Sequence, residues 1–261
     1  LRFRHAPRWH RLLRLIGLGL AGMALVPSAL AQSRSAMDCA ALPPRPSMPR
    51  EAVPAFLEDP NWRGRVAELS RQTARELSQV QLVFLGDSIT QGWIPFFWNH
   101  FYGHRAALNL GVNGDFTQGM LWRLQQGGHW PATLRPKLVV LLIGTNNTQH
   151  GPPDDTALGI AEILRFIRQR SPATRILLVG VLPRGADATE PARRLNQRVN
   201  ELVARCADNR SIFFTDPGGL LLDGQGRLSD QVAFDLLHLT GYGYGLLGAG
   251  LEPSIRQLLG R

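Results

Sequence analysis

Residues 137–143 read KLVVLLI, six consecutive apolar side chains with no polar alternation, and the run stops at Gly144. A strand with one wet face alternates; a strand buried on both faces does not, and that condition is met in a parallel sheet covered by helices on each side. Shorter runs of the same kind occupy residues 82–85, 175–181 and 211–215, with a weaker one at 107–109. Helical spacing fills the intervals, over residues 62–78, 116–126, 155–170 and 191–207, and again over 242–259. Strands joined through helices imply right-handed parallel crossovers. The expected fold class is therefore α/β, a three-layer α/β/α sandwich around a central parallel sheet of about five strands.

The first 31 residues follow another logic. Arg2, Arg4, Arg8, Arg11 and Arg14 precede an uncharged apolar stretch over 15–26, and Ala29-Leu30-Ala31 follows Pro27. This is the layout of a secretory signal peptide, with cleavage expected after Ala31 and a periplasmic or secreted product. The apolar stretch is short for a spanning helix, so no stable membrane span is expected once the signal is removed. The segment also explains most of the charge. The formal balance of +9 suggests nucleic acid, but residues 1–31 hold five arginines and no acid, which leaves 24 basic against 20 acidic residues, a net of +4. The remaining arginines, such as Arg165, Arg168 and Arg170, are scattered as on a solvated helix face, and nucleic-acid binding is not expected.

Pro43, Pro44, Pro46, Pro49 and Pro54 mark residues 32–60 as an extended leader, with a compact domain over 61–261. Cys39 and Cys206 are even in number, and an oxidising compartment permits a disulfide; a buried thiol on the 195–206 helix face fits Cys206 equally well. No Cys, His and carboxylate cluster has metal-ligand spacing, and no cofactor motif is present, so neither metal nor cofactor is expected.

In an open parallel sheet, ligands bind beyond the carboxyl ends of the strands. Those ends read Gly86-Asp87-Ser88-Ile89-Thr90, then Asn109 to Asp115 (NLGVNGD), then Gly144-Thr145-Asn146-Asn147; Asp235-Leu236-Leu237-His238 precedes the last helix. Singly, each has a plain alternative: a helix cap at Ser88, turn glycines at 111 and 114, a turn asparagine at 146, a surface pair at 235 and 238. A G-x-S-x-G elbow, which an α/β-hydrolase would need, is missing, and so is a P-loop lysine.

Together and in this order the four blocks resemble the SGNH (GDSL-like) hydrolase superfamily. The segments LNLGVNGD, LWRL, GTNN, VLPRG and DLLHLTG are most similar to platelet-activating-factor acetylhydrolase catalytic subunits and their bacterial relatives. The resemblance spans about residues 62–259 and implies a flavodoxin-like sheet and a serine esterase. Chemistry fits these positions. A serine becomes nucleophilic when a base takes its proton, an imidazole serves near neutral pH, and a carboxylate three residues before it reaches the other ring nitrogen. Ser88, His238 and Asp235 take those parts. The resemblance further implies an oxyanion hole from the Ser88 and Gly111 backbone N–H groups and the Asn146 side chain. Asp87 is expected to form structural hydrogen bonds, and His100, His104, His129 and His150 to be surface or structural residues. The expected substrate is a small acyl ester, with acetyl preferred and the alcohol an O-acetylated polysaccharide or a lipid. A lysophospholipase or thioesterase of the same superfamily and a catalytically silent glycan-binding module are the alternatives, and a homodimer is left open.

Overall fold

The computed structural model describes residues 47–75 and 77–260; the signal-like segment, most of the proline-rich stretch and Cys39 lie outside the described residues. The chain runs α1 (Pro60–Thr73), β1 (Leu82–Gly86), α2 (Ser88–Gln91), α3 (Pro95–Phe101), β2 (Ala107–Gly111) and α4 (Thr117–Gln125). It continues through β3 (Leu138–Leu142), α5 (Pro153–Arg170), β4 (Arg175–Val179), α6 (Pro191–Val203), β5 (Ile212–Thr215) and α7 (Gly241–Leu259). All neighbouring strands are parallel, in the order β2-β1-β3-β4-β5, so the expected α/β sandwich holds. The order reverses beside β1, which places a topological switch point where Ser88 leaves the sheet.

Alternate side chains of each strand enter two separate cores. Val83, Leu85, Val139, Leu141, Ile176 and Leu178 pack with α1, α4, α5 and α6. Leu82, Phe84, Val140, Leu142, Leu177 and Val179 pack with aromatic residues around α3 and with α7. Every residue of β1 and of β3 is buried, which is why neither run alternates in sequence. Truncating such a side chain, Leu141→Ala for instance, costs about 2–5 kcal/mol.

Several boundaries differ from expectation for local reasons. Helix α1 starts two residues early because Asp59 accepts the Trp62 N–H and Pro60 occupies the first helical position. It stops at Thr73, whose hydroxyl donates to the Leu69 and Gly128 carbonyls. Helix α6 ends at Val203 and passes into a tighter 3-10 turn over Ala204–Cys206. Cys206 is buried and is not a free thiol.

The larger correction concerns residues 50–57, expected to be part of an extended leader. A 3-10 turn over Arg50–Ala52 packs on the domain: Glu51 and Ala52 are buried, the Thr117 hydroxyl donates to the Glu51 carbonyl at 2.7 Å, and Ala55 N–H donates to the Gln118 carbonyl. Prolines here fix an extended path across α4 and α5 instead of keeping the segment away from them. Among the described residues no helix is long and apolar enough to cross a membrane.

Candidate active site

Ser88 is the first residue of α2, a single helical turn held from three sides. Asp87 caps it, accepting the Ile89 N–H at 3.0 Å. The Tyr244 hydroxyl of α7 donates to the Ile89 carbonyl at 2.8 Å. Beneath it lie Gly86 and Gly111, partners across β1 and β2. A Cβ on Gly111 would stand 2.2 Å from the Gln91 nitrogen, and one on Gly86 would meet the Thr90 hydroxyl and the Leu142 carbonyl. Only glycines let the turn sit this close to the strands.

His238 arrives from a segment 150 positions away, yet its Nε2 lies 3.0 Å from Ser88 Oγ. Its Nδ1 lies 2.6 Å from Asp235 Oδ2, while its backbone N–H donates to Asp235 Oδ1 at 2.6 Å. A carboxylate on Nδ1 can only accept, so it fixes the tautomer with the proton on Nδ1 and leaves the Nε2 lone pair toward Ser88. Asp235 is exposed; what burial it has would raise its pKa, but the hydrogen bonds from the His238 ring, the His238 backbone and the Leu237 backbone outweigh this and hold it below the usual value. The tight turn places Leu236 at φ +60°, in the left-handed region. Gly185 N–H fastens that residue by donating to its carbonyl at 2.9 Å. The ring of Phe234, itself 65% exposed, stacks on the imidazole with centroids 5.9 Å apart.

Asn146 is half-buried beyond β3, and its Nδ2 donates one hydrogen to the Asp115 carbonyl at 2.8 Å. Its neighbour Asn147 turns inward and caps α4, accepting the Thr117 N–H at 3.0 Å. The Gly111 N–H, expected at the oxyanion hole, donates to Asn109 Oδ1 at 2.8 Å, and Asn109 Nδ2 holds the Thr90 carbonyl. The structure therefore brings Ser88, His238 and Asp235 into hydrogen-bonded sequence, and sets Gly111 and Asn146 at the two strand ends flanking β1.

Three features escaped the sequence reading. Arg184 reaches the Thr145 carbonyl and hydroxyl, with its charge facing Asp235 and Asp87. Arg193, buried on α6, donates to the carbonyls of Arg184, Gly185 and Gly226, which secures the loop that holds Leu236. Asp115 and Arg123 form a fully buried ion pair at 2.8 Å. Asp87 does make structural bonds, and burial pushes its pKa up to about 7, opposed by the Ile89 N–H and reinforced by the Asp115 charge. His129 is structural and lies in the core, its Nε2 3.0 Å from the Val66 carbonyl; His100, His104 and His150 are exposed.

A serine facing an imidazole at the switch point of a five-stranded parallel sandwich is the arrangement of an ester-hydrolysing enzyme of the SGNH type. The chain belongs to the GDSL-like lipase/acylhydrolase family, whose model matches residues 84–246. It is 34% identical over 210 residues to platelet-activating factor acetylhydrolase IB subunit alpha1 of Bos taurus, covering 79% of this chain and 89% of that protein. Against the human alpha2 subunit the identity is 34% over 180 residues, 68% and 77% of the two chains. A GDSL-like lipase from Bacteroides thetaiotaomicron superposes with a TM-score of 0.59 at 23% identity, over 76% of this chain and 98% of that one. An acetylxylan esterase from Geobacillus stearothermophilus does so with a TM-score of 0.55 at 16% identity, over 72% of this chain and 97% of that one.

Proposed function

We propose that the protein is an exported short-chain esterase that removes acetyl groups with Ser88 as nucleophile, His238 as base and Asp235 orienting that base. The observation that carries this reading is the sequence of contacts from Ser88 Oγ through the two ring nitrogens of His238 to Asp235, at 3.0 and 2.6 Å. Ser88 Oγ attacks the acyl carbon as its proton passes to His238 Nε2. The tetrahedral intermediate collapses when the imidazolium returns that proton to the departing alkoxide, leaving an acyl-serine. Water then attacks the acyl carbon, giving its proton to Nε2, and that proton passes to Ser88 Oγ as the Oγ–acyl bond breaks and the carboxylic acid leaves. The oxyanion is held by Ser88 N–H, by the second Nδ2 hydrogen of Asn146, and by Gly111 N–H once it is shared with or released from Asn109.

The acyl preference is supported by relatives named acetylhydrolases at 34% identity. The Arg-rich, apolar, small-residue order of residues 1–31 supports export, and favours a carbohydrate acetyl ester over a phospholipid. Hydrolysis of p-nitrophenyl esters from acetate to palmitate, each below its micelle threshold, tests the acyl group. Catalytic efficiency should fall as the chain lengthens past butyrate; faster turnover of octanoate than of acetate would refute the acetylesterase reading. Acetylated xylan against a 2-acetyl glycerophospholipid then separates the two alcohols.

A further inference from the structure

Beneath the strand ends, Asp115 and Arg123 are both 0% exposed, and their bonds reach both sides of the site. Asp115 Oδ2 accepts Arg123 Nε at 2.8 Å; Asp115 Oδ1 accepts Trp62 Nε1 at 2.8 Å and the Phe116 N–H at 3.1 Å. Arg123 Nη2 donates to the carbonyl of Gly86, the last residue of β1. The backbone of residue 115 is thus clamped through its own side chain, and its carbonyl is the acceptor that holds Asn146.

An asparagine amide presents a donor and an acceptor of nearly equal shape, and its partner decides which end points where. A carbonyl accepts only. By taking one Nδ2 hydrogen, the Asp115 carbonyl prevents the amide from flipping and directs the second hydrogen away from itself. A buried ion pair is weak as a source of stability, because desolvation opposes its attraction, but it fixes geometry.

We infer that Asp115 and Arg123 are positioning residues for the reaction: the pair, with Trp62, locks the residue whose carbonyl orients the oxyanion-binding amide of Asn146. The inference rests on the role proposed above for Asn146. In Asp115→Asn one oxygen must serve three donors, and the new NH2 faces Arg123 or Trp62, so the clamp loosens although side-chain volume is kept.

The test is a kinetic double-mutant cycle on the full chain with p-nitrophenyl acetate. Asn146→Ala alone should lower kcat about 10²- to 10³-fold. Asp115→Asn should lower kcat about 10-fold or more at nearly unchanged KM, and should have little further effect when Asn146 is already alanine. A kcat that is unchanged, or that falls by the same factor in both backgrounds, overturns the inference. If Asp115→Asn does not fold, Trp62→Phe removes one clamp bond without touching the ion pair and is read by the same coupling. An unchanged kcat in Asn146→Ala itself refutes the oxyanion role, a result distinct from missing coupling.

Discussion

Asp235 holds His238 twice, Oδ2 taking the ring Nδ1 and Oδ1 taking the backbone N–H, each at 2.6 Å. One carboxylate therefore sets both the tautomer of the imidazole and the turn that presents it. Asparagine has a single acceptor oxygen, so Asp235→Asn must give up one bond or reverse the tautomer. Steady-state kinetics should show kcat reduced about 10⁴-fold for this variant, against about 10⁶-fold for His238→Ala or Ser88→Ala. Equal losses for Asp235→Asn and His238→Ala would contradict an orienting role.

Gly111→Ala should damage both stability and rate. Its Cβ would lie 2.2 Å from the Gln91 nitrogen, a backbone atom that yields only if α2 shifts. Overpacking of this kind costs about 1–3 kcal/mol, and the shift carries Ser88 with it. Thermal melts and kcat should fall together, whereas an alanine variant with normal kcat would mean that α2 tolerates displacement.

Asp87 gives stability a pH dependence of defined sign. The folded chain keeps its proton up to about 7, while the unfolded carboxyl releases it near 3.8. Between those values the native state binds the extra proton, so rising pH favours unfolding through this group. His129, held neutral by burial and then by the Arg123 charge down to about 3, acts oppositely between about 3 and its ordinary 6.5. Asp87→Asn keeps the acceptor for Ile89 N–H and removes only the first effect. Its Tm should fall less than that of the parent between about pH 4 and 7, the window set by the two pKa values, and parallel curves would argue against the raised carboxyl.

Arg193→Met tests the support of the His238 loop. Three carbonyls, of Arg184, Gly185 and Gly226, would lose a buried charged donor. The expected destabilisation is about 2–4 kcal/mol, with a reduced kcat because Gly185 holds Leu236. A lowered denaturation midpoint with unaltered kcat would confine Arg193 to stability.

The sheet was legible because β1 and β3 are buried on both faces, and uniform burial writes itself as uniform apolarity. Helices α2 and α3 were not, since four residues after a strand leave no period and PFFWNHF has aromatics on all sides. The local pair Asp235 and His238 is readable from a three-residue spacing. The engagement of Gly111 N–H by Asn109, and the clamp of Asp115 by Trp62 and Arg123, depend on side-chain directions and on partners up to 53 positions away. Proline content suggests an extended backbone but says nothing about what that backbone lies against, and among the described residues the stretch includes a 3-10 turn over Arg50–Ala52 packed on the domain.

On the proposed roles of Ser88 and His238, the 150 positions between them make ester cleavage a reporter of complete folding. Ser88, the proposed nucleophile, opens α2 just past the first strand, and His238, its proposed base, lies just ahead of the final helix, so an N-terminal fragment cannot bring the pair together. Loop closure over that length must be achieved before any activity returns. With that proposed pair, an unfolded chain has no assembled site, and the first turnover after refolding dates the docking of its last element.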